Sequence, residues 1–355
     1  MQPTFIIAEV GVNHNGIEDI AIELIDGALE AGADAVKFQT FNSSELATQK
    51  AMKAPYQEIS NESNQLEMLK KLELSFDVQI RLKEYCEKKG ITFMSTAFDK
   101  ESLDFLLFDL DISILKIPSG ELSNHPLLLD FSKAKRKMIL STGMSTMDEI
   151  EESLGVIAFG LIGVGKPSKE SFANAFKSSN GKKMLRKFVT LLHCSSQYPT
   201  PLDDSNIRVM ETLKKHFGLA VGFSDHTQDM LVAITAASLG ATIIEKHITL
   251  DKEMMGPDHM SSSDINEFKD YVASIRKVER ILGSKKKTLL KGEISNRKVS
   301  RKSIVAKKAI KKNDLFTEEN ITTKRPGDGM SPKDFWGILG KKSKNKYIKD
   351  DQIDE

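Results

Sequence analysis

The chain has 355 residues, 40% of them hydrophobic and 28% charged, with a formal net charge of +1 at pH 7. This is the composition of a folded globular protein with room for one large domain and a small one. The balanced charge gives no global pull toward nucleic acid or an anionic membrane. Two cysteines, Cys86 in a helical pattern and Cys194 at a strand end, do not read as a disulfide framework. No basic-then-apolar leader precedes Phe5 and no apolar run is long enough to cross a bilayer, so a cytoplasmic protein is expected. Basic runs at 133–137 and 285–287 read as solvated faces.

Short apolar runs alternate with longer amphipathic segments. FIIAEV (5–10) is the first expected strand, and a helix follows over about 18–31, with Gly32 in the position that ends helices. DAVKFQ (34–39) is the second strand. A polar excursion over about 40–64 leads into helical segments that end at Gly90. ITFMST (91–96) and a helix near 100–108 come next, then SILKI (113–117) and a helix over about 126–133. MILST (138–142) is the fifth strand, and STMDE from Ser145 is a helix-capping pattern. An insertion rich in Gly, Ser and Lys covers about 160–182. FVTLLHC (188–194), a helix over 205–216, AVGF (220–223), a helical segment over 228–239, ATIIEKH (241–247) and a helix over about 263–282 complete the series.

Eight strands alternating with eight helical segments predict an α/β protein with a (β/α)8 TIM barrel over 1–282; a doubly wound open sheet is the rival architecture. A linker over 283–298 and a small β-rich domain over 299–355, with short runs SIVA and LFT, follow. Barrel active sites lie at the C-terminal ends of the strands. The strand ends here are Glu9, Lys37 with Gln39, Ser95, Lys116, Ser141, His193 with Ser195 and Ser196, Ser224 with Asp225 and His226, and Glu245 with His247.

Two lysines and several hydroxyls around one mouth make an anion site: Lys37 and Lys116 supply charge, and Ser119, Ser141 and Ser224 supply donors for a phosphate or carboxylate. No GxxxxGK[ST] motif is present, so a P-loop nucleotide site is not indicated. His226 and His247 at adjacent strand ends form a divalent-metal candidate, and imidazole alone does not choose among Mn, Fe, Co, Ni and Zn. Asp258, Asp225 or Glu9 could add an oxygen ligand or act through water. Glu9 is the leading acid–base candidate, expected to stay ionised beside the cations; its structural alternative is a partner for His14 or a lysine. His193 is as readily a structural group as a ligand.

On FIIAEVGVNHNG, ADAVKFQTF, LKIPSGEL, ILSTGM, LLHCSSQYPTP, GFSDHT, IIEKHITLD and GPDH, the chain resembles the sialic acid synthases. These are phosphoenolpyruvate-condensing enzymes that make N-acetylneuraminate and related nonulosonic acids. The tail, with SIVAKKAIKKNDLFTEENITTKRPGDGMSP, resembles their antifreeze-like (SAF) domain. The resemblance implies a transferase, usually Mn²⁺-dependent, that condenses phosphoenolpyruvate with an open-chain N-acetylated amino sugar and releases phosphate by C–O cleavage. It implies His226 and His247 as metal ligands, and Lys37, Gln39, Lys116, Ser119, Ser141, Ser224 and, where some members have asparagine, Ser196 as substrate contacts. Glu9 would lie near the sugar aldehyde, Tyr198 in the sugar pocket and Asp258 near the metal. Arg325 would reach the N-acyl group in a homodimer whose tails cap each other's barrels. An aromatic that some members place before the SAF core is replaced here by VSRK (299–302). The acceptor stays open between N-acetylmannosamine and diacetamido-trideoxyhexoses leading to legionaminate or pseudaminate. Rival readings are a phosphoenolpyruvate aldol-type synthase acting on a phosphorylated sugar and a non-catalytic carbohydrate-binding protein.

Overall fold

Eight parallel strands pair in sequence order, and the first also pairs with the eighth, which closes the sheet into a barrel. The computed structural model describes residues 3–54, 57, 62–163 and 165–354, and the chain divides into two units, Met1–Gly283 and Ser284–Glu355. Positions 55, 56 and 58–61 of the expected excursion, and Val164 of the expected insertion, lie outside the described residues.

In the first unit β1 (Phe5–Gly11) leads to α1 (Glu18–Ala31), which Gly32 ends in the left-handed conformation. Next come β2 (Ala35–Thr40), the short α2 (Ser43–Leu46), α3 (Gln65–Leu72) and α4 (Phe76–Lys89). Then follow β3 (Thr92–Ala97), α5 (Lys100–Asp104) running into a wide turn at Phe105–Asp109, β4 (Ile114–Ile117), α6 (His125–Lys133) and β5 (Lys137–Ser141). Helix α7 (Met147–Ile162) starts one residue later than the motif suggested: Thr146 is its N-cap and closes a capping box with Glu149.

Most of the insertion is helical. It forms α8 (Lys169–Lys177) and α9 (Ser179–Phe188). The reason lies in α7, which is apolar on nearly every side, with Leu154 and Val156 to Leu161 buried. A helix apolar all round must be covered on more than the barrel side. Ala175 and Leu185, from α8 and α9, belong to the same apolar cluster as α7. The remaining barrel elements are β6 (Val189–His193), α10 (Val209–Phe217), β7 (Ala220–Asp225), α11 (Met230–Ser238), β8 (Ile243–Thr249), a two-residue β9 (Ser263–Asp264) beside β8, and α12 (Ile265–Leu282). Among the described residues no helix is long and apolar enough to cross a membrane.

In the second unit α13 (Glu293–Ser300), with no buried residue, occupies part of the stretch expected as a linker. β10 (Ser303–Ala306) and β11 (Ile321–Lys324) pair antiparallel, and the short α14 (Phe335–Ile338) follows. The expected LFT strand is reduced to an isolated bridge from Leu315 to Lys342. Ile304, Ile310, Phe316, Ile321, Ile338, Tyr347 and Ile353 form the core of this unit.

Candidate active site

Successive strand residues face opposite sides of a sheet, so positions i, i+2 and i+4 share the barrel interior. The first interior tier is apolar: Ile7, Ala35, Met94, Ile139 and Leu192 cluster, with Ile114 and Ile243 packed against them. Two residues further along the strands the interior becomes polar: Glu9, Lys37, Thr96, Lys116, Ser141, Cys194, Ser224 and Glu245. Two residues further still come Gln39, Phe98, Pro118, Ser196, His226 and His247. All of these line one cavity of about 430 Å³, together with Ser119, Tyr198 and Asp258. The barrel residues that the resemblance assigns to the site therefore meet in a single mouth, whereas the strand ends Ser95, His193, Ser195 and Asp225 do not line it. Gly222 of β7 makes room in the lowest tier, because a Cβ there would lie 2.3 Å from the Ile243 carbonyl oxygen.

The floor is a buried set of two cations and two carboxylates. Lys37 pairs with Glu9, and its Nζ is 3.6 Å from Glu245 Oε2, while Lys116 Nζ is 3.3 Å from Glu245 Oε1. Ser224 Oγ donates to Glu245 Oε1 at 2.9 Å. Four such groups survive burial only because each is compensated by neighbours. Burial pushes Glu9 above the usual carboxylate range, Lys37 pulls it back and the Glu245 charge adds to the rise. Burial acts likewise on Glu245, but Lys116 and Lys37 outweigh it and hold that carboxyl below its ordinary value. Glu9 thus holds a proton more readily than an ordinary carboxylate, because desolvation and the Glu245 charge outweigh Lys37 and Lys116.

Around this floor, Ser141 Oγ is buried without a hydrogen-bond partner. Ser119 Oγ accepts from the Gly143 amide at 3.0 Å and lies 3.2 Å from Cys194 Sγ. A Cβ at position 143 would stand 2.5 Å from Ser196 Oγ and 2.8 Å from Ser119 Oγ, so glycine keeps this cradle open. The result is an anion-sized space with ammonium and hydroxyl donors.

His226 and His247 face each other with ring centroids 5.5 Å apart. His226 Nδ1 is 2.5 Å from the Ser195 carbonyl, which it can only meet as a donor, and Nε2 is 3.0 Å from the Tyr198 hydroxyl. Burial lowers His226 to about 4 and takes His247 well below its ordinary value, so both rings are neutral and carry a lone pair. His247 Nδ1 is buried without a hydrogen-bond partner, 3.8 Å from Asp258 Oδ2. Burial raises the Asp258 carboxyl to about 6. Two neutral imidazoles, one of them unpartnered, fit the divalent cation that the resemblance implies. Among the described residues no three or more His, Cys, Asp or Glu side chains gather closely enough to hold an ion alone. Water and substrate would have to complete its coordination, the open pattern of catalytic sites.

Other sequence candidates lie elsewhere. Asp225 does not face the mouth: it accepts from Tyr271 at 2.9 Å and from the Thr227 amide at 2.8 Å, and pairs with Lys246 at 3.7 Å. It is therefore not an oxygen ligand. His193 is structural, its Nε2 2.8 Å from the Ser205 carbonyl. His14 is structural too, accepting from the Gly16 amide at 2.9 Å, and it is not a partner of Glu9. Arg325, in the second unit, donates from Nε to the Ser300 carbonyl at 3.0 Å.

Residues 24–287 match the NeuB family and residues 301–354 the SAF domain. A Campylobacter jejuni protein named N,N'-diacetyllegionaminic acid synthase is 43% identical over 100% of both chains. A Legionella pneumophila protein of the same name is 41% identical over 95% of this chain and 89% of its own. The crystal structure of an N-acetylneuraminic acid synthetase from Leptospira borgpetersenii, in complex with citrate, superposes with a TM-score of 0.69. It is 31% identical over 83% of this chain and 90% of that one.

The chain belongs to the NeuB family. It is an enzyme, a synthase forming carbon–carbon bonds, on a TIM barrel followed by a SAF domain. In this NeuB barrel, sequence reasoning recognised Glu245 as a strand end without giving it a role, although it bridges both lysines. Its signal was its place in tier two. Leu46, Gln57, Gln65 and Leu69 also line the cavity, and sequence reasoning missed them because they come from the excursion after β2 and from α3 behind it, where no strand period marks a face.

Proposed function

We propose that this enzyme condenses phosphoenolpyruvate with the open-chain form of an N-acetylated amino sugar, making a nonulosonic acid and releasing inorganic phosphate. Between the acceptors left open by the sequence, identities of 43% and 41% to two N,N'-diacetyllegionaminic acid synthases support a diacetamido-trideoxyhexose of the legionaminate series. The observation that carries the reading is one mouth holding two lysines, a ring of serine hydroxyls and two facing neutral histidines.

Lys37 and Lys116, with Ser119, Ser141, Ser196 and Ser224, hold the phosphate and carboxylate of phosphoenolpyruvate as charge partners and donors. His226 and His247 would hold the cation, Mn²⁺ in this reading, with Asp258 beside them. That cation, when bound, supplies Lewis-acid polarisation of the acceptor aldehyde. C3 of phosphoenolpyruvate attacks the aldehyde carbon, and the aldehyde oxygen takes up a proton to become a hydroxyl. Water adds at C2 and gives up a proton. The resulting tetrahedral centre expels phosphate with its bridging oxygen, the C2 hydroxyl proton passing to the departing phosphate and leaving the ketone. Glu9, at the floor between Lys37 and the histidines, moves the proton, and Tyr198 orients the acceptor. The cradle around Gly143 keeps the departing phosphate in a fixed place. The protein works as a cytoplasmic homodimer in which Arg325 of each SAF domain reaches the N-acyl group at the other barrel.

The test is phosphate release from phosphoenolpyruvate with a 2,4-diacetamido-2,4,6-trideoxyhexose, N-acetylmannosamine and a phosphorylated pentose, with Mn²⁺ and with a chelator. Turnover with N-acetylated acceptors, abolished by the chelator and restored by Mn²⁺, is expected. Turnover with the phosphorylated sugar alone would move the protein to another condensation, and full activity in chelator would remove the metal.

A further inference from the structure

The charged floor accounts for only part of the cavity. Leu46, at the end of α2, Leu69 on α3 and Phe98, just past β3, also line it. They belong to one apolar cluster with Phe41, Leu66 and Leu72, so they form a continuous surface and not scattered contacts. Phe98 is held edge-on by Phe41, with ring centroids 6.2 Å apart.

Two carboxamides border this surface. Gln65 lies one helical turn before Leu69 on α3, so both present the same face, and both line the cavity. Gln57 reaches the same region, its Oε1 accepting from the Ala54 amide at 2.9 Å and from Gln65 Nε2 at 3.5 Å. Among the described residues of the barrel, no lysine or arginine belongs to this wall: the lysines lining the cavity are Lys37 and Lys116, both on the floor and both beside Glu245.

A neutral wall of leucine, phenylalanine and carboxamide is matched by a substituent that combines methyl groups with an amide. A phosphate would be buried there without a positive partner, which is costly. A polyol end would lose its hydration against Leu46, Leu69 and Phe98. An acetamido group sets its methyl on the leucines and its N–H and C=O against the glutamines, and a deoxy carbon sits on the phenylalanine at no polar cost. We propose that this wall is a subsite for a second acetamido group and a deoxy terminus at the end of the acceptor remote from its aldehyde. The wall thus selects diacetamido-deoxy sugars against both mono-acetylated and phosphorylated ones. The proposal rests on the synthase reading given above.

The experiment compares kcat/KM of the full-length protein, loaded with Mn²⁺ and saturated with phosphoenolpyruvate. The acceptors are 2,4-diacetamido-2,4,6-trideoxymannose, N-acetylmannosamine and N-acetylmannosamine 6-phosphate. The wild type should prefer the diacetamido sugar. Gln65→Ala, on a helix surface where folding is safe, should lower kcat/KM for the diacetamido sugar by about tenfold to a hundredfold, the usual effect of losing a buried hydrogen-bond partner. It should leave N-acetylmannosamine within about twofold and the KM for phosphoenolpyruvate unchanged. Phe98→Leu, checked for an unchanged melting temperature, should narrow the same preference. Equal losses on both N-acetylated sugars, or no loss on either, would overturn the subsite while leaving the synthase intact. A wild type that prefers the 6-phosphate would overturn it too. A wild type inactive on every acceptor would bring down the synthase reading itself.

Discussion

Asp225 and His226 are neighbours in sequence but serve opposite sides of β7, as Lys246 and His247 do on β8. The histidines face the mouth. The aspartate and the lysine meet between the sheet and α12, where Tyr271 donates to Asp225 and Lys246 donates to the Thr227 carbonyl. This buried pair links the two strand ends that carry the histidines. Removing one partner of a buried pair strands the other charge. Asp225→Ala should therefore cost about 3–5 kcal/mol, whereas a double neutral variant, Asp225→Asn with Lys246→Met, should recover most of that loss. Urea unfolding of Asp225→Asn, Lys246→Met and the double variant measures the coupling, and additive losses would show that the pair is not coupled. In the sequence the pair is hidden by the strand period: SDH and EKH each look like one polar cluster, and only alternation across the sheet separates ligand candidates from their supports. Glu245 was obscured in the same way, two residues before the histidine that drew attention.

At the scale of elements, period and strand order carried most of what the sequence made legible. All eight strands lie where apolar runs stood, displaced by a residue or two. The strand ends expected to line the mouth do so, apart from Ser95, His193, Ser195 and Asp225. What stayed hidden was what covers the strands. The α8–α9 pair was hidden by the Gly, Ser and Lys content of its stretch, although Phe172 with Phe176 and Met184 with Phe188 recur at helical spacing and pack against the barrel core. The turn after β1 was also opaque: His14, expected only as a structural partner for Glu9, instead packs over Phe38 of β2 with ring centroids 6.1 Å apart. Burial lowers it from 6.5 to about 4, so the folded protein holds this ring neutral over a range where the unfolded chain protonates it. Its contribution is fully present above pH 6.5 and is lost progressively as the pH falls toward 4, where the folded ring also takes a proton. A shift of this size corresponds to on the order of 3 kcal/mol. Melting temperatures at pH 7, 5 and 4 should fall more steeply in the wild type than in His14→Gln. His259, also lowered to about 4 by burial, leaves a residual slope in both. Parallel curves would show that His14 does not contribute to the acid sensitivity.

The near-neutral net charge of the whole molecule conceals a division. Twenty of the 51 lysines and arginines, but only ten of the 50 acidic residues, lie in 284–355, which leaves +10 there and −9 on 1–283. Opposite charge on two units favours their association and orients the encounter. The two units of one chain could meet, or those of different chains. The homodimer reading requires different chains, with Arg325 working at the partner's barrel, and a mixing experiment separates the two. Arg325→Ala keeps a sound barrel but sends out a deficient tail, and His226→Ala keeps a sound tail on a barrel without its histidine. Each variant alone should be nearly inactive with the diacetamido sugar. If tails act in trans, unfolding and refolding an equimolar mixture gives mixed dimers in about half of the population, each with one complete site. Activity should then return to about a quarter of the wild-type value. If the tail acts within its own chain, every site in the mixture lacks either the arginine or the histidine, and nothing returns. Repeating the refolding at low and high salt then tests the charge division, since the recovered fraction should fall as salt screens a −9 surface from a +10 one.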